Sequence, residues 1–322
     1  YELSGNKKLA EMKHHDQSCR ALRFTADGGT LFTGSTDASI GAYDLNAGKL
    51  SAVLANAHES AISSLLVLDE KSLASGDEDG VIKIWDLRQQ KCCHELTEHE
   101  DFISDMTLAS DDKTLLVAGS DGYLSVWNRK NGKLLAMSDQ MEDEFLSVAI
   151  VKNGRKVVCG TQSGVLGIFS WGNWGDMTDR FPGHPQSVES MVKIDEDTLV
   201  TCSEDGIIRV VQVLPNKLLG VIGEHDGYPI EHIDLSHDAQ YLASCSHDST
   251  VKFWQVGYLF DDDEDGAEMD PEGAEEEQQG ESGDVNMGSD SDDSDDEPPR
   301  KGKKGKGKTL KKNPGADFYA DM

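Results

Sequence analysis

No run of about eighteen apolar residues occurs anywhere in this 322-residue chain, so no transmembrane helix is encoded. A charged n-region followed by an apolar core is missing from its start, which argues against secretion. Six cysteines (Cys19, Cys92, Cys93, Cys159, Cys202 and Cys245) make no CxxC pair and no metal-ligand cluster. They read as small buried hydrophobes in a reducing compartment, not as a disulfide framework. GxxxxGK[ST], a helix-opening GxGxxG and HExxH are all absent, which removes the usual phosphate-cradling loops and the helical zinc-protease site. Convincing helical periodicity is lacking as well, so the chain is expected to be all-β with no cofactor.

Positive charge is scarce: 30 Lys and Arg face 60 Asp and Glu, for a net charge of −30. The imbalance is uneven. Asp261 to Glu297 holds 19 acids and no base, whereas Arg300 to Lys312 holds eight bases (Arg300, Lys301, Lys303, Lys304, Lys306, Lys308, Lys311 and Lys312) and no acid. With Asp317 and Asp321 the tail has 21 acids and eight bases, leaving residues 1–260 with 39 and 22. A surface at −17 will not wrap nucleic acid, so direct RNA contact is expected only through the basic run. Residues 258–322 contain too little apolar surface to offset their ordering entropy and are expected to be disordered. The folded domain is therefore placed at 1–257.

Within that domain one unit repeats. Tyr43, Trp85, Trp127, Phe169, Val211 and Trp254 follow one another at intervals of 42, 42, 42, 42 and 43 residues. Six residues before them lie Asp37, Asp79, Asp121, Ser163, Asp205 and Asp248. Ten before lie Thr33, Ser75, Val117, Cys159, Thr201 and Ser244. Some 27–29 before lie His15, His58, His99, Glu142, His184 and His225. Each copy carries alternating apolar stretches separated by turn residues, such as AISSLLVL, SLASGD and VIKIWDL around DEDG, which is strand grammar. Lys49, Lys91, Lys133 and Lys217 open the fourth strands.

Four short strands in about 42 residues, with recurrent His and Trp-Asp marks, resemble the blades of the WD-repeat family over residues 1–257. The resemblance implies a β-propeller. It is strong in LASGDEDGVIKIWDLR and LASCSHDSTVKFWQV and weak in the fourth copy, KVVCGTQSGVLGIFSW, which lacks the His, Asp and Trp. Six blades are visible. Because the chain opens on Tyr1, and KKLAEMK (7–13) resembles a lone fourth strand, a seven-bladed ring is expected in the intact protein, its N-terminal blade truncated here.

His58, Ser75 and Asp79 are also the residue types of a hydrolase triad. A nucleophile needs one base and one acid at one site; here the trio recurs in register, as His225, Ser244 and Asp248 do. The resemblance instead implies structural networks made by His58, Ser75, Asp79 and Trp85 and by His225, Ser244, Asp248 and Trp254. His14-His15 is the only His pair and is read as network, not metal site. No catalytic and no metal residue is assigned.

Three features remain for binding. Leu73 to Arg88 resembles the box of WD-repeat substrate receptors of cullin-4 ubiquitin ligases. There, the residues matching Asp86 and Arg88, beside Trp85, contact the damaged-DNA-binding adaptor. Trp171 and Trp174 flank Gly172 in a Gly-rich connection and suit either packing or an anchor. In the tail, Ser289 and Ser294 each precede an acid by three residues and resemble casein kinase 2 sites. SWGNWGDMTDRF, DGIIRVVQVLPNKLLG and the acidic-then-basic tail ending in Phe318-Tyr319 resemble a eukaryotic branch of the family. That branch is associated with the nucleolus and ribosomal RNA maturation, and some members with cullin-4 ligases. The expectation is a non-enzymatic scaffold of the nucleus and nucleolus, present also in the cytoplasm, serving ribosomal RNA processing. Its partners would be pre-ribosomal assembly factors, with no membrane. The alternative is a cullin-4 substrate receptor.

Overall fold

The computed structural model describes residue 8 and residues 11–260. It is an all-β, six-bladed propeller. Among the described residues the only helical element is a single 3-10 turn, Gly257–Leu259, and no helix is long and apolar enough to cross a membrane. The first sheet contains β1 (Cys19–Phe24), β2 (Thr30–Ser35), β3 (Ile40–Asp44) and β4 (Lys49–Leu54), hydrogen-bonded in that order. The second is built from β5 (Ile62–Asp69), β6 (Ser72–Asp77), β7 (Ile82–Asp86) and β8 (Lys91–Leu96). The third has β9 (Ile103–Leu108), β10 (Thr114–Gly119), β11 (Leu124–Asn128) and β12 (Lys133–Met137). The fourth runs β13 (Phe145–Val151), β14 (Lys156–Thr161), β15 (Val165–Ser170) and β16 (Asp179–Pro182). The fifth is β17 (Val188–Lys193), β18 (Thr198–Ser203), β19 (Ile207–Gln212) and β20 (Lys217–Glu224). The sixth stops at three: β21 (Ile230–Leu235), β22 (Tyr241–Ser246) and β23 (Val251–Gln255). Lys49, Lys91, Lys133 and Lys217 each begin an outer strand. Residues 11–13, the described end of the segment that resembled a further fourth strand, form no strand: no neighbouring sheet edge pairs with them.

Antiparallel order sets two ends. The linkers that lead into each inner strand and the turns between second and third strands share one end, here the entry end; the remaining turns share the far end. Counting described residues outside strands, the entry end carries eighteen Asp/Glu and two Lys, Lys8 and Lys13, while the far end carries nine acids and seven bases. The loops of the entry end are thus far more negative than those of the far end.

Alternation along each strand sends one set of side chains to the preceding sheet and the other to the next. Five apolar clusters result, one per interface from the first sheet through the sixth. Leu65, Leu73 and Trp85 meet Ala21, Phe32 and Ile40 of the first sheet, and Ile230, Ile233 and Leu242 meet Val200, Cys202 and Ile208 of the fifth. Where the fourth sheet lacks Trp, Phe169 packs edge-on to Phe145, ring centres 6.0 Å apart. Between the sixth sheet and the first, by contrast, a cleft of about 770 Å3 opens, lined by Phe24, Leu235, Tyr241 and Phe253. Leu22 and Phe24 are 51% and 60% exposed, although one repeat later Leu65, at the position of Leu22, is 1% exposed.

Among the cysteines, Cys159 and Cys202 are buried and Cys245 half-buried, but Cys19, Cys92 and Cys93 are exposed. Those three lie on the strands that border the channel and the outer rim, where side chains face water, so the reading of all six as buried does not hold.

Candidate functional site

In the second sheet one polar chain joins two strands, β6 and β7, to the linker that leads into the sheet. Trp85 Nε1–H donates to Ser75 Oγ (2.8 Å), and Ser75 O–H donates to His58 Nε2 (2.5 Å). His58 Nδ1–H donates to Asp77 Oδ2 (2.7 Å). His58, Ser75, Asp77 and Trp85 are all buried. The carboxylate is Asp77, not Asp79. Asp79 is exposed on the turn and gives its backbone N–H to Asp77 Oδ1 (3.1 Å), as Val81 does (2.8 Å). The acid has moved from the turn to the end of β6, whose side chain points inward. Gly80, at φ +80°, lets that turn lie against the linker to the third sheet; a Cβ there would come within 2.5 Å of the His99 carbonyl.

The sixth sheet keeps the residues predicted for it. His225 bonds Asp248 Oδ2 (2.7 Å) and Ser244 Oγ (2.7 Å), and Trp254 Nε1–H donates to Ser244 Oγ (2.8 Å). Burial alone would raise the Asp248 carboxyl, but bonds from His225 and Thr250 outweigh it and hold it below the usual carboxylate range. In the third sheet the hydroxyl comes from Ser125, which receives Trp127 Nε1–H (2.7 Å) and meets His99 Nε2 (2.7 Å). Ser125 is the direct cross-strand partner of Val117, the residue at the expected position. The network is conserved in space while its hydroxyl changes strand, a shift visible in the sequence as the Ser two residues before Trp127. In the first sheet both His14 (2.8 Å) and His15 (2.7 Å) reach Thr33 Oγ1.

The fifth sheet breaks the chain. His184 Nε2 bonds Thr201 Oγ1 (2.8 Å), but Asp205 is held by Arg209 (3.0 and 2.5 Å) and His184 Nδ1 has no partner. Burial, then the nearby Arg209 charge, lowers the His184 pKa to about 4. The fourth sheet has no imidazole; Ser163 bonds Asp143 instead.

Each trio lies inside its own sheet and spends its hydrogen bonds there. None opens to a shared cleft, and no group of His, Cys, Asp and Glu among the described residues is arranged to hold a metal. At the far end Arg88 is exposed and turned back on Asp86, with Nη2 2.8 Å and Nε 3.3 Å from its carboxylate. Hydrogen bonds from Arg88 first, and then turn amides, lower the Asp86 pKa to about 2. This pair borders a cleft of about 1330 Å3 floored by Val67, Ile84 and Trp85. Across it the buried Arg129 ties sheets two and three, bonding Asp69 Oδ2 (2.8 Å), Ser72 Oγ (2.9 Å) and Asp112 Oδ1 (2.6 Å). That clamp carried no repeat signature, because it replaces the apolar Leu87 of the preceding copy. Trp171 is exposed and edge-on to Trp174 (5.1 Å), which packs on the core between sheets three and four. The eight bases from Arg300 to Lys312, and Ser289 and Ser294, lie outside the described residues.

The WDR55 family model matches residues 1–259. WD repeat-containing protein 55 of Arabidopsis thaliana is 44% identical over 247 residues, covering 76% of this chain and 70% of that protein. The Homo sapiens protein of that name is 39% identical over 253 residues (79% and 66%), and its Dictyostelium discoideum homolog 36% over 264 residues (82% and 64%). The matched part thus spans about two thirds of the length of these relatives. With the six sheets, the register of the repeat and these matches together, the chain belongs to the WDR55 family of WD-repeat proteins.

Proposed function

We propose that this chain is a non-enzymatic scaffold for protein partners, working in the nucleus and nucleolus in ribosomal RNA processing and ribosome biogenesis. The observation that carries the scaffold reading is the fate of its most reactive-looking groups. His58, Ser75 and Asp77 are buried and mutually bonded, and equivalents recur in the third and sixth sheets. A catalytic base must reach substrate; these reach only their own sheet. What is left exposed is a six-bladed array with two ends of different charge, a form suited to displaying loops to partners. The cellular address rests on sequence alone: eight bases without an acid between Arg300 and Lys312 have the composition of a nuclear or nucleolar signal.

Deleting residues 300–312 should redistribute the protein to the cytoplasm in fluorescence microscopy, and depleting the protein should make precursor ribosomal RNA accumulate on northern blots. Unchanged placement and unchanged precursors would refute the proposal. Purification from nuclear extract should return pre-ribosomal assembly factors. Recovery of a cullin-4 adaptor that is lost in Arg88→Ala would instead favour the ligase receptor role.

A further inference from the structure

Where the first three sheets meet at the far end, the cleft of about 1330 Å3 beside Asp86 and Arg88 joins an apolar interior to a basic rim. Val67, Ile84 and Trp85 form its floor, and Phe24, 60% exposed, stands at its wall. The neighbouring interface is clasped: between sheets two and three the Arg129 guanidinium bonds Asp69 (2.8 Å) and Ser72 (2.9 Å). One repeat earlier that position is Leu87, which packs on the core between sheets one and two and can make no such clasp.

The charges around the cleft are not balanced in what they leave open. Five of the seven far-end bases (Lys71, Arg88, Lys113, Arg129 and Lys130) stand in the turns of the second and third sheets, with only three of the nine acids (Glu70, Asp111 and Asp112). The strand acids at the rim are engaged, Asp69 by Arg129 and Asp86 by Arg88. Asp27 is bonded within its own turn by Thr25 O–H (2.6 Å) and Gly29 N–H (3.0 Å). Of the remaining charges that line the cleft, the exposed Lys71 and Lys130 outnumber Glu70.

The chain itself carries a segment of matching chemistry. Residues 261–317 contain no Phe, Trp or Tyr, so Phe318 and Tyr319 are the only aromatic side chains after Phe260. They stand between Asp317 and Asp321, with no base from Asn313 to Met322, in a stretch outside the described residues. The chain also leaves the propeller at the right end. Val256 N–H bonds the Gln240 carbonyl (2.9 Å) in the β21–β22 turn, four residues before Phe260. Across the cleft between sheets six and one that turn faces Thr25, Ala26 and Asp27, which line the far-end cleft as well. Phe318 follows Phe260 by 58 residues, a length that extends to about 200 Å at most, so reach sets no limit.

We infer that residues 313–322 dock in this cleft, with Phe318 and Tyr319 against its apolar floor beside Phe24, and Asp317 and Asp321 toward Lys71 and Lys130. Aromatic rings bring the largest apolar area per side chain, and carboxylates accept charge-assisted bonds from ammonium groups. Because the segment is tethered, a contact too weak to hold a separate peptide is still populated. The docked segment covers Asp86 and Arg88, so any partner that approaches the far end must displace it. This goes beyond the scaffold reading and does not depend on the cellular address.

The test uses the full chain carrying Phe318→Ser and Tyr319→Ser, and a fluorescein-labelled peptide of residues 313–322. In fluorescence anisotropy the peptide should bind this double variant, and bind the unaltered chain at least about tenfold more weakly, because the tethered copy competes. Adding Lys71→Glu with Lys130→Glu, or Phe24→Ser, to the double variant should weaken binding at least about fivefold, whereas Tyr241→Ser, which alters only the cleft between the sixth and first sheets, should change it by no more than about twofold. Thermal melting confirms that each variant folds. In the full chain with Tyr319→p-benzoylphenylalanine, photo-crosslinks should map to residues 24–30 and 67–94 in a product of monomer mass. Equal affinity for the double variant and the unaltered chain, no measurable binding to the double variant, unchanged affinity after Lys71→Glu with Lys130→Glu, an equal loss in Tyr241→Ser, or crosslinks only between two copies or to the entry end would each overturn the inference.

Discussion

Removing the Asp77 carboxylate is the sharpest way to ask what the recurring polar trio does. Asp77 is 2% exposed and accepts three bonds: from His58 Nδ1–H (2.7 Å), Val81 N–H (2.8 Å) and Asp79 N–H (3.1 Å). Asp77→Ala strands the imidazole N–H, which is buried with His58, at a cost of about 1–3 kcal/mol. It also takes a charged acceptor from two turn amides, which water can partly replace because Glu78 and Asp79 are exposed. The sum is about 2–4 kcal/mol, a large part of a domain's stability. Asp79→Ala removes an exposed side chain from the same turn and should stay within about 0.5 kcal/mol. Urea denaturation followed by circular dichroism measures both, provided the m-values agree. If Asp79→Ala costs as much as Asp77→Ala, or if Asp77→Ala costs under about 0.5 kcal/mol, the polar chain is not what pins β6 to the linker before it, and the structural account of the trio fails.

Three further outcomes follow from the same geometry. Ser125→Ala should destabilise by about 1–3 kcal/mol, and adding Val117→Ser should recover part of that by returning a hydroxyl from the facing strand; a double-mutant cycle without coupling would count against the swap. His184, with its pKa lowered to about 4 by burial first, resists protonation while the unfolded chain takes a proton near pH 6.5. Its contribution is therefore complete above pH 6.5 and is lost as pH falls toward 4, by up to about 3 kcal/mol; His184→Gln should flatten stability against pH in that window, and an unchanged slope would remove the assignment. Leu65→Ala should cost about 2–5 kcal/mol and Leu22→Ala under about 1, because only the first leaves a cavity. Comparable chemical-denaturation losses for the two would mean that the face carrying Leu22 is covered in solution.

How far the sequence could be read depended on whether a feature repeats at fixed spacing or is chosen by space. Strand number, strand order and the outer-strand lysines followed from a 42-residue period, because alternation and turn chemistry are local and each copy restates them. The network residues were legible only to the precision of the period. Asp79 sits at the expected interval and so does Asp248, yet in the second sheet a second acid two residues earlier lies on the inward side of β6, and burial selects Asp77. Val117 marks a gap in the pattern that a neighbouring strand fills, since Ser125 lies directly opposite and a hydroxyl can enter the chain from either strand. In the fifth copy His184, Thr201 and Asp205 all stand in register, but Arg209 is long enough to claim the carboxylate, where Lys83 at the matching position of the second copy reaches the Ala57 carbonyl instead. Register therefore names candidates, and the competition among side chains within a few ångströms decides between them. A direct check is Arg209→Lys: a side chain with one ammonium in place of the fork should release Asp205 to His184, and the imidazole pKa, followed by its proton chemical shift, should rise from about 4 toward the ordinary value. If it stays where it is, length and geometry at position 209 are not what separates this sheet from the others.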